Sequence, residues 1–417
     1  VGYERTFTGD PADAVQNNVA MILDYDNYLT DSYFGRSKVD VLENTFRFNI
    51  TYAHYFTQRS SLNAGASYYA RMMNDNYSHF GSNDGYQWDL KNNSTLMEPG
   101  VFAEYTYQIE EKFSLVAGIR GDYAMVGNNY YVKDAQNKFL ITPRAHIKWS
   151  ITPRTTLRAS AGLGSRRQNL VTDNIWMMTT SRNIDMQGLN DDMEAAATFG
   201  GSLSQTFPLA NDDQATISFD YFRTQFFNTM VFDQETVDNS ILIYNSNGKS
   251  FTDNYQVDFN WTPFKGFDLF ATFRYTNAKM TVEDANGQKH LVERPLTSRY
   301  KGLINIQYAV RRWVFDVTAQ LNGPMRLPEL DGNLVKAVEN PELSPVYPMF
   351  FAQVSYKISN LTIYAGCENI ANYLQGVGGH GNAPIVGVPY QEGFNSSQVW
   401  GPLMGRKFYI GLRLNIY

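Results

Sequence analysis

Cysteine and long apolar runs are almost missing from this sequence. Its 417 residues include one cysteine, Cys367, which excludes an intramolecular disulfide framework and a zinc site built on several cysteines. No stretch of about 18 consecutive apolar residues occurs, so no transmembrane helix is expected. Val1 to Arg5 carry neither the basic nor the apolar part of a signal peptide. A secreted chain that starts this way has lost its signal peptide or begins within a longer protein.

Positive charge is also scarce. Lys and Arg total 35 against 41 Asp and Glu, and the formal net charge of −6 argues against the basic patches of a nucleic-acid-binding protein. The five histidines do not lie within metal-ligand spacing of one another, and no Gly-x-Ser-x-Gly nucleophile motif is present. We therefore predict no catalytic residue, no metal site and no cofactor, in a protein that is not an enzyme.

Aromatic residues, in contrast, make up 15% of the chain, a composition typical of the aromatic girdles of membrane β-barrels. The mean hydropathy of −0.38 fits a barrel whose lipid-facing and lumen-facing residues alternate. Apolar side chains recur at every second position, as at Trp313, Phe315 and Val317, which alternate with Asp316 and Thr318. The clearest alternating segments are 46–52, 313–322, 350–357 and 407–416.

Short polar turns alternate with long connections along the chain. A soluble sandwich also alternates in polarity, but it does not sort its connections by length between its two ends. Bacterial membrane barrels have short periplasmic turns and long extracellular loops. The pattern therefore predicts an all-β fold, an antiparallel transmembrane β-barrel. The predicted turns are 57–60, 110–112, 152–155, 209–213, 263–266, 310–312 and 359–360. The predicted long loops are 72–97, 126–138, 164–193, 229–249, 279–298, 324–346 and 369–403.

The number of turns sets the number of strands. Seven short turns predict fourteen strands, and the segment before the C-terminus adds a fifteenth. A single-chain bacterial barrel has an even number of strands. We therefore expect residues 1–417 to form one partial barrel whose first strands precede residue 1.

Four motifs follow one another in a fixed order. They are a Gly-x-Arg-x-Asp-Tyr strand at 118–123, a Pro-Arg hairpin at 142–166, an element similar to Asn-Leu-Phe-Asn at 366–373 and a closing strand at 405–413. Together they resemble the barrel of TonB-dependent receptors, particularly those of Bacteroidota. The chain departs from the family pattern at Ser165, where the family has Phe, and at Ile416, where the family has a terminal Phe.

This resemblance implies a multi-pass protein of the Gram-negative outer membrane, with about 22 strands and a plugged lumen. It implies active transport of a scarce nutrient such as siderophore-bound iron, haem or cobalamin, energised by the TonB system through a plug upstream of residue 1. The expected partners are outer-membrane lipid, a small-molecule or metal-chelate substrate and TonB, and a surface lipoprotein is compatible with the family. A passive channel of the porin type and an oligosaccharide-importing receptor are alternatives, and an outer-membrane enzyme is the least favoured.

Two groups of residues are candidate sites. Charged residues on the polar faces of strands are expected to face the lumen or the plug: Arg120, Asp122, Arg144, Arg158 and Arg413. Residues in the predicted long loops are candidates for substrate binding: His79, Trp176, Met177, Met178, His290 and His380. Imidazole and thioether groups suit haem iron or copper, although solvated or packed loop side chains explain the same residues. Gly118, Gly162 and Gly411 are expected to leave room where strands bend or the plug approaches.

Overall fold

The structure is a computed structural model. It describes residues 2–3, 36–80, 87–127, 130–132, 135–167, 170, 173–174, 183–190, 193–209, 214–237, 240–284, 286–328, 342–375, 399–402 and 404–415. Within these ranges, no helix has both the length and the apolar character needed to cross a membrane.

The described residues fold into β-strands joined by turns and loops. The strands are β1 (Gly2–Tyr3), β2 (Arg36–Thr57), β3 (Ser60–Phe80), β4 (Gln87–Ile109), β5 (Phe113–Val126), β6 (Lys138–Ile141), β7 (Arg144–Thr152), β8 (Thr155–Arg167), β9 (Asn183–Gly188), β10 (Met193–Pro208), β11 (Gln214–Phe227), β12 (Thr229–Asp233), β13 (Ser240–Ser246), β14 (Ser250–Phe264), β15 (Phe267–Glu283), β16 (Lys289–Glu293), β17 (Tyr300–Val310), β18 (Trp313–Asn322), β19 (Tyr347–Ile358), β20 (Leu361–Glu368) and β21 (Lys407–Leu414).

The wall of the barrel consists of long strands that pair with their neighbours in sequence, all antiparallel. In the described part of the chain these wall strands number fifteen, as the sequence predicts: β2, β3, β4, β5, β7, β8, β10, β11, β14, β15, β17, β18, β19, β20 and β21. β6 and β7 both pair with β5, and they are separated at Pro143, which has no backbone N–H to donate. β16 likewise pairs with β15 beyond the end of β17.

Six of the seven short turns lie where the sequence predicts them, and most of the seventh, 209–213, lies outside the described residues, between the paired Pro208 and Gln214. Each wall hairpin at this rim closes within a few residues, for example between β17 and β18 and between β19 and β20. Several turn residues take the left-handed conformation that tight turns require, with φ of 54° at Arg311, 53° at Ser359 and 90° at Gly266. The predicted rim of short turns is therefore confirmed.

The two faces of the wall differ in polarity. Trp313 and Phe315 are 45% and 43% exposed and lie on the face that the membrane covers. On the opposite face Asn305 donates hydrogen bonds to Asp316 at 3.1 Å and to Thr318 at 2.8 Å. Since residues directly paired across strands point to the same side, this division extends from strand to strand. The outward face is apolar and the inward face is polar, as a transmembrane barrel requires.

Strands β2, β3 and β4 extend well above the membrane, and there the apolar face changes sides. Met72 points outward and is exposed, whereas the next residue, Met73, points inward and is buried. From this position outward side chains are polar, as at Asn74 and Asn93. Inward side chains such as Tyr77 become buried. The predicted loop over 72–97 is therefore wrong, because this segment continues the β3–β4 pairing up to Phe80 and Gln87.

A layer of extracellular elements covers the inward face of these tall strands. β12 pairs with β13 antiparallel and β13 pairs with β9 in parallel, which forms a small separate sheet. A buried apolar cluster joins this sheet to the tall strands and to the segments near 130 and 170: Val39, Met73, Tyr77, Leu90, Leu96, Tyr130, Tyr131, Val132, Leu170, Ile184, Leu189, Met230, Ile241 and Ile243. Three predicted long loops, 164–193, 229–249 and 279–298, therefore contain strands of their own.

A smaller apolar cluster lies above the short strands near the end of the chain. Its buried members are Met325, Leu327, Tyr347, Tyr373 and Trp400. Tyr347 stacks on Tyr373 with ring centroids 4.8 Å apart and donates a hydrogen bond to the carbonyl of Trp400. This cluster is made from connecting segments and the start of β19, so the outer end of this side is held by loop residues.

Candidate functional site

The strand register places the five predicted lumen residues on the inward face. Arg144 pairs with Gly118 and Gly162, on the face opposite the exposed Ile119 and Ile147. Arg120 and Asp122 share the face of Gly118 by alternation along β5. The remaining two follow from their partners: Arg158 pairs with Lys148, and Arg413 pairs with Thr362.

Arg120 and Asp122 form an ion pair along one strand. The Arg120 Nε donates to Asp122 at 2.6 Å, and its Nη2 donates to the hydroxyl of Ser67 at 2.6 Å. Gly100 lies opposite Asp122, and a Cβ at this position would collide with the carboxylate and the guanidinium. The Gly-x-Arg-x-Asp pattern therefore depends on a glycine from the neighbouring strand as well as on its own residues.

Arg144 crosses a neighbouring strand to reach its partner. Its Nη2 donates to Glu104 at 2.6 Å, and Glu104 and Arg144 both pair with Gly118 on the strand between them. A Cβ at Gly118 or at Gly162 would lie 3.4 Å from the Arg144 side chain. These glycines therefore lie beside Arg144, and the expectation that they make room for a bend or for the plug stays a prediction.

Gly411 is covered by an aromatic ring of the neighbouring strand. The ring of Tyr364, on the paired strand, lies over Gly411, and the ring of Tyr409 lies over Gly366 in the reciprocal arrangement. An aromatic ring that covers a glycine on the next strand protects backbone that would otherwise face open space. Tyr409 also donates a hydrogen bond to Gln353 at 3.0 Å. The space above Gly411 is therefore filled by this chain itself.

Two further inward arginines were missed as site residues. Arg71 makes a bidentate pair with Glu43, with its Nη2 2.7 Å from the carboxylate, and both residues are mostly buried. Arg166 lies 3.4 Å from Glu194, directly across from it on the paired strand. Arg71 could have been found from the alternation of β3, because it continues the inward series. Arg166 was visible as part of the Pro-Arg hairpin motif.

These arginines line one inward surface, which we call the arginine groove and define by Arg71, Arg120, Arg144 and Arg166. A cavity of about 560 Å³ is lined by Arg144 and Arg166 together with Glu194. Of two smaller cavities, one is lined by Arg120 and Arg144 and the other by Arg71, Arg120 and Arg166. A Cβ on Gly164, within the groove, would have no atom within 4 Å. The groove thus combines guanidinium donors with open space, a combination suited to carboxylate or phosphate groups.

Two of the predicted lumen residues lie outside the groove. Arg158 and Arg413 are exposed on the inward face. Neither forms an ion pair with any residue that the structure describes. They are therefore available to a group that fills the lumen.

Of the six predicted loop residues, the structure describes His79 and His290. His79 lies in β3, where it is buried and stacks on Tyr77 with an interplanar angle of 7°. Its predicted position in a loop is wrong, and its predicted contact with substrate stays a prediction. His290 is exposed in β16, with its Nε2 3.0 Å from Asp284. The other four predicted residues lie outside the described part of the chain: Trp176, Met177, Met178 and His380.

Two ionisable groups in the extracellular layer have shifted pKa values. The hydrogen bond from His290, followed by backbone N–H donors of Gln288 and Asn286, lowers the pKa of Asp284. Burial, with the nearby Asp233 carboxylate, raises the pKa of Tyr244 well above its usual value. Among the described residues no group of three His, Cys, Asp or Glu side chains could hold a metal ion. Both pKa shifts are therefore explained by burial and by neighbouring residues within the extracellular layer.

The fold and the groove together define a class of protein: a bacterial outer-membrane β-barrel whose polar inner wall carries arginines beneath an extracellular layer. A model of the family described as TonB dependent receptor-like, beta-barrel, matches residues 2–370. The chain belongs to this family, and its place is the outer membrane of Gram-negative bacteria. A comparison with curated proteins gave no match. The Bacteroidota origin and the upstream plug stay predictions.

Solved structures with the same fold have low sequence identity. The copper transporter OprC superposes with a TM-score of 0.61 at 16% identity, over 91% of this chain and 57% of OprC. A variant of the ferric enterobactin receptor PfeA from Pseudomonas aeruginosa gives 0.58 at 15%, over 90% of this chain and 55% of PfeA. The siderophore receptor PiuA from Acinetobacter baumannii gives 0.54 at 14%, over 81% and 52%.

This chain thus spans little more than half the length of these proteins. By their names they are a transporter and receptors. The expectation that the chain is not an enzyme agrees with its membership of a receptor family. At this level of identity the likeness shows a shared fold and nothing more.

Proposed function

We propose that this chain is the wall and part of the binding surface of a TonB-energised importer for an anionic metal chelate, with siderophore-bound iron as the first candidate. The observation that carries this proposal is the arginine groove. Its four guanidinium groups lie on the inward face beside open cavities, and two of them, Arg144 and Arg166, are more than half exposed. Exposed guanidinium groups bind carboxylate, catecholate or phosphate oxygens through paired hydrogen bonds.

The acidic partners of the arginines do not remove this capacity. Each guanidinium carries five N–H donors, and Glu104 uses the Nη2 group of Arg144. Arg166 is held less closely, at 3.4 Å from Glu194. The carboxylates orient the guanidinium groups, and the remaining donors stay available to a ligand. An anionic chelate fits such a surface better than a neutral oligosaccharide.

A plug preceding this chain would complete the lumen. Arg158 and Arg413, which face inward outside the groove, are the residues we assign to contact with it. Binding at the groove would then change the exposure of the plug segment to TonB, since a ligand shifts a conformational equilibrium only through different affinities for its two states. Outer-membrane lipid covers the apolar outer face, and a surface lipoprotein partner stays a prediction.

Uptake and binding by the whole natural protein test this proposal. Cells that depend on it are grown with ferric enterobactin, ferric citrate, haem, cobalamin or copper as the limiting nutrient, with and without TonB. We expect saturable, TonB-dependent uptake of one anionic chelate. Arg144→Gln with Arg166→Gln should lower its affinity by about 10- to 100-fold, because two charge-assisted contacts are lost.

The matched control is Arg158→Gln, which removes an inward arginine outside the groove and should leave the affinity for the chelate within about twofold of the parent protein. Non-saturable uptake that persists without TonB would identify a passive channel. Uptake of a neutral oligosaccharide that is unaffected by loss of both groove arginines would favour an oligosaccharide importer. Either result rejects the proposal.

A further inference from the structure

A groove lies on the outward face of the wall, where the membrane covers it. Its volume is about 470 Å³, and it extends across β14, β15, β17, β18 and β19. Ile304 is exposed on the outward face and pairs with both Ala271 and Ala319, which therefore share that face. Thr272 and Gln320 also border the groove, but alternation turns their side chains towards the lumen. We call this feature the acyl groove and define it by the three small residues of its floor, Ala271, Gly302 and Ala319.

Large apolar side chains flank the floor on the neighbouring strands. They are Phe259 and Ile304 on either side of Ala271, and Phe273 and Leu321 on either side of Gly302. Since adjacent strands are about 4.8 Å apart, the two flanking strands are about 9.6 Å apart. The flanking side chains fill much of that distance, which leaves room for one hydrocarbon chain. An α-helix with its side chains is about 10–12 Å across and does not fit.

The floor of the acyl groove runs close to the membrane normal. Gly302 lies one strand on from Ala271 and two residues nearer the outer rim, because Ala271 pairs with Ile304. Phe267, at one short turn, pairs with Tyr308, which lies two residues above the next short turn, so rows of paired residues climb in the same direction. Because strands tilt by about 35–45°, the step from Ala271 to Gly302 is nearly parallel to the normal. The acyl chains of a bilayer have the same mean direction.

Two tyrosines lie at the upper end of the acyl groove. Tyr275 pairs with Tyr300, and both lie two residues nearer the outer rim than Phe273 and Gly302. The ring of Tyr300 stacks on Phe273 with centroids 6.0 Å apart. At a membrane interface, tyrosine places its ring against acyl chains and its hydroxyl at the level of the headgroups. These two residues therefore mark the level at which the headgroup of a lipid in the groove begins.

Beyond the tyrosines the outward face carries an excess of positive charge. Lys279 is exposed on the face of β15 that carries the tyrosine, and within the described ranges it has no ion-pair partner. It pairs across the ladder with Glu293, which is bonded to Arg299 at 2.7 Å. The neighbouring Arg294 and Glu342 add one charge of each sign. Three cations and two carboxylates leave one positive charge, which favours an anionic headgroup.

We propose that the acyl groove is a binding site for one phosphorylated lipid of the outer leaflet. One acyl chain lies along the floor, and a phosphate group contacts Lys279 and Arg299. Arg299 is three residues from Gly302, about 10 Å along the strand, so one lipid reaches both regions. A protein partner would need an interface of about 1,000 Å² or more, far larger than this groove. The site lies on the opposite face of the wall from the arginine groove and does not depend on the transported substrate.

Lipid retention by the whole natural protein tests this proposal. The protein is reconstituted in phosphatidylcholine nanodiscs with increasing fractions of lipid A, or of lipid A without its phosphates, then released into detergent. Native mass spectrometry counts the lipids that stay bound. The parent protein should retain lipid A in preference to phosphatidylcholine. Ala271→Phe, which fills the floor, should weaken retention of both forms about threefold or more, because packing contacts with the chain are lost.

Lys279→Gln separates the headgroup from the acyl chain. It should weaken retention of lipid A about fivefold and leave the form without phosphates within about twofold of the parent protein. Gly302→Leu is a second filling variant if Ala271→Phe does not fold, since a Cβ at Gly302 meets other atoms only at 3.7 Å or more. The matched control is Ala117→Phe, on the outward face of β5 beside the exposed Tyr105, which should retain lipid A as the parent does.

Three results would overturn the proposal. The first is retention of lipid A that neither filling variant changes, which would mean that lipid contacts this face without a site. The second is an equal effect of Lys279→Gln on both forms of the lipid. The third is a dimer of the chain that persists without lipid and dissociates on Ala271→Phe, which would assign the acyl groove to a second copy.

Discussion

Two sides of the wall cross the same membrane and leave it differently. On one side β2, β3 and β4 are 22, 21 and 23 residues long. On the other, β18, β20 and β21 are 10, 8 and 8 residues long. A tilted spanning strand needs about 9–11 residues. The first side therefore extends about ten residues beyond the membrane, whereas the second side ends near it.

The difference shows that one strand can place its apolar side chains on the outward face in the membrane and on the inward face above it. On the membrane side of Met72, the outward side chains of the tall strands contact lipid. Beyond Met72, their inward side chains enter the apolar cluster around Tyr77. The short strands keep one apolar face throughout, and loop residues such as Trp400 cover their outer ends. On the tall side, β2, β3 and β4 pack against the extracellular layer over the lumen. On the short side, loop residues pack over the outer ends of the strands.

The largest expected effect comes from a substitution that destabilises the apolar cluster of the tall side. Tyr77 is 1% exposed and packs edge-on against Trp88 with centroids 5.5 Å apart. Tyr77→Ala should cost about 3–5 kcal/mol, because it leaves a cavity in the cluster. Hydrogen exchange should then rise in β9, β12 and β13. Phe315→Ala, on the lipid face of the short side, should leave exchange in these three strands unchanged, and equal effects of both variants would contradict the comparison.

The second expected effect locates the boundary at which the apolar face changes sides. Ile50 is 60% exposed on the outward face within the membrane, and Asn93 is exposed on the outward face above it. Ile50→Arg should lower folding stability by about 2–4 kcal/mol. Asn93→Arg should change it by about 0.5 kcal/mol or less. Denaturant titration in phospholipid vesicles measures both, and a boundary at Met72 is excluded if Asn93→Arg costs as much as Ile50→Arg.

A smaller effect concerns the link between the two sides. Arg326, after β18, makes a bidentate pair with Glu235 beside β12, with N–O distances of 2.6 and 2.8 Å, and both side chains are largely buried. Arg326→Gln should destabilise the β12–β13 hairpin by about 1.5–3 kcal/mol. Hydrogen exchange of β12 and β13 reports this loss. The exposed pair of Lys407 and Glu368 is the control, and Lys407→Gln should leave these strands unchanged.

The smallest expected effect is a pH dependence at the tip between β15 and β16. Because the pKa of Asp284 is lowered, first by His290, its contribution to stability is present above the unfolded-state pKa near about 3.9 and is lost as the pH falls through the folded value. His290→Ala should move that loss to higher pH. Carbonyl NMR titration of labelled Asp between about pH 2 and 6 measures the shift, and identical titrations of the two proteins would show that His290 has no such influence.

The sequence predicts the wall well because its signals are local. The turn at Arg311 and the alternation from Trp313 to Leu321 each depend on a few neighbouring residues. The same signals fail above Met72, where Met73 is apolar too and the period of two shifts by one residue. In the sequence this shift reads as the end of the strand, yet β3 continues to Phe80. Nothing local shows that the inward face there is covered by residues more than 100 positions away.

In the candidate site, too, some features follow from local sequence and others only from strand register. Alternation along β5 suffices to assign Arg120 and Asp122 to the lumen. The partner of Arg144 is Glu104, and that pairing follows from the register of three strands, which no local motif specifies. The sequence predicts His79 in a loop because the period of two shifts by one residue at Met73. The same shift hides the position of Tyr77 in the core.

The sequence by itself determined the class of fold, the rim of short turns, the outward face and the inward direction of the charged residues, since each follows from a period of two and from turn chemistry. The tertiary structure alone decided which arginine meets which carboxylate and where the apolar face changes sides. These features depend on strand register and on segments distant in the chain that share one space. Packing between such segments leaves no local pattern in the sequence.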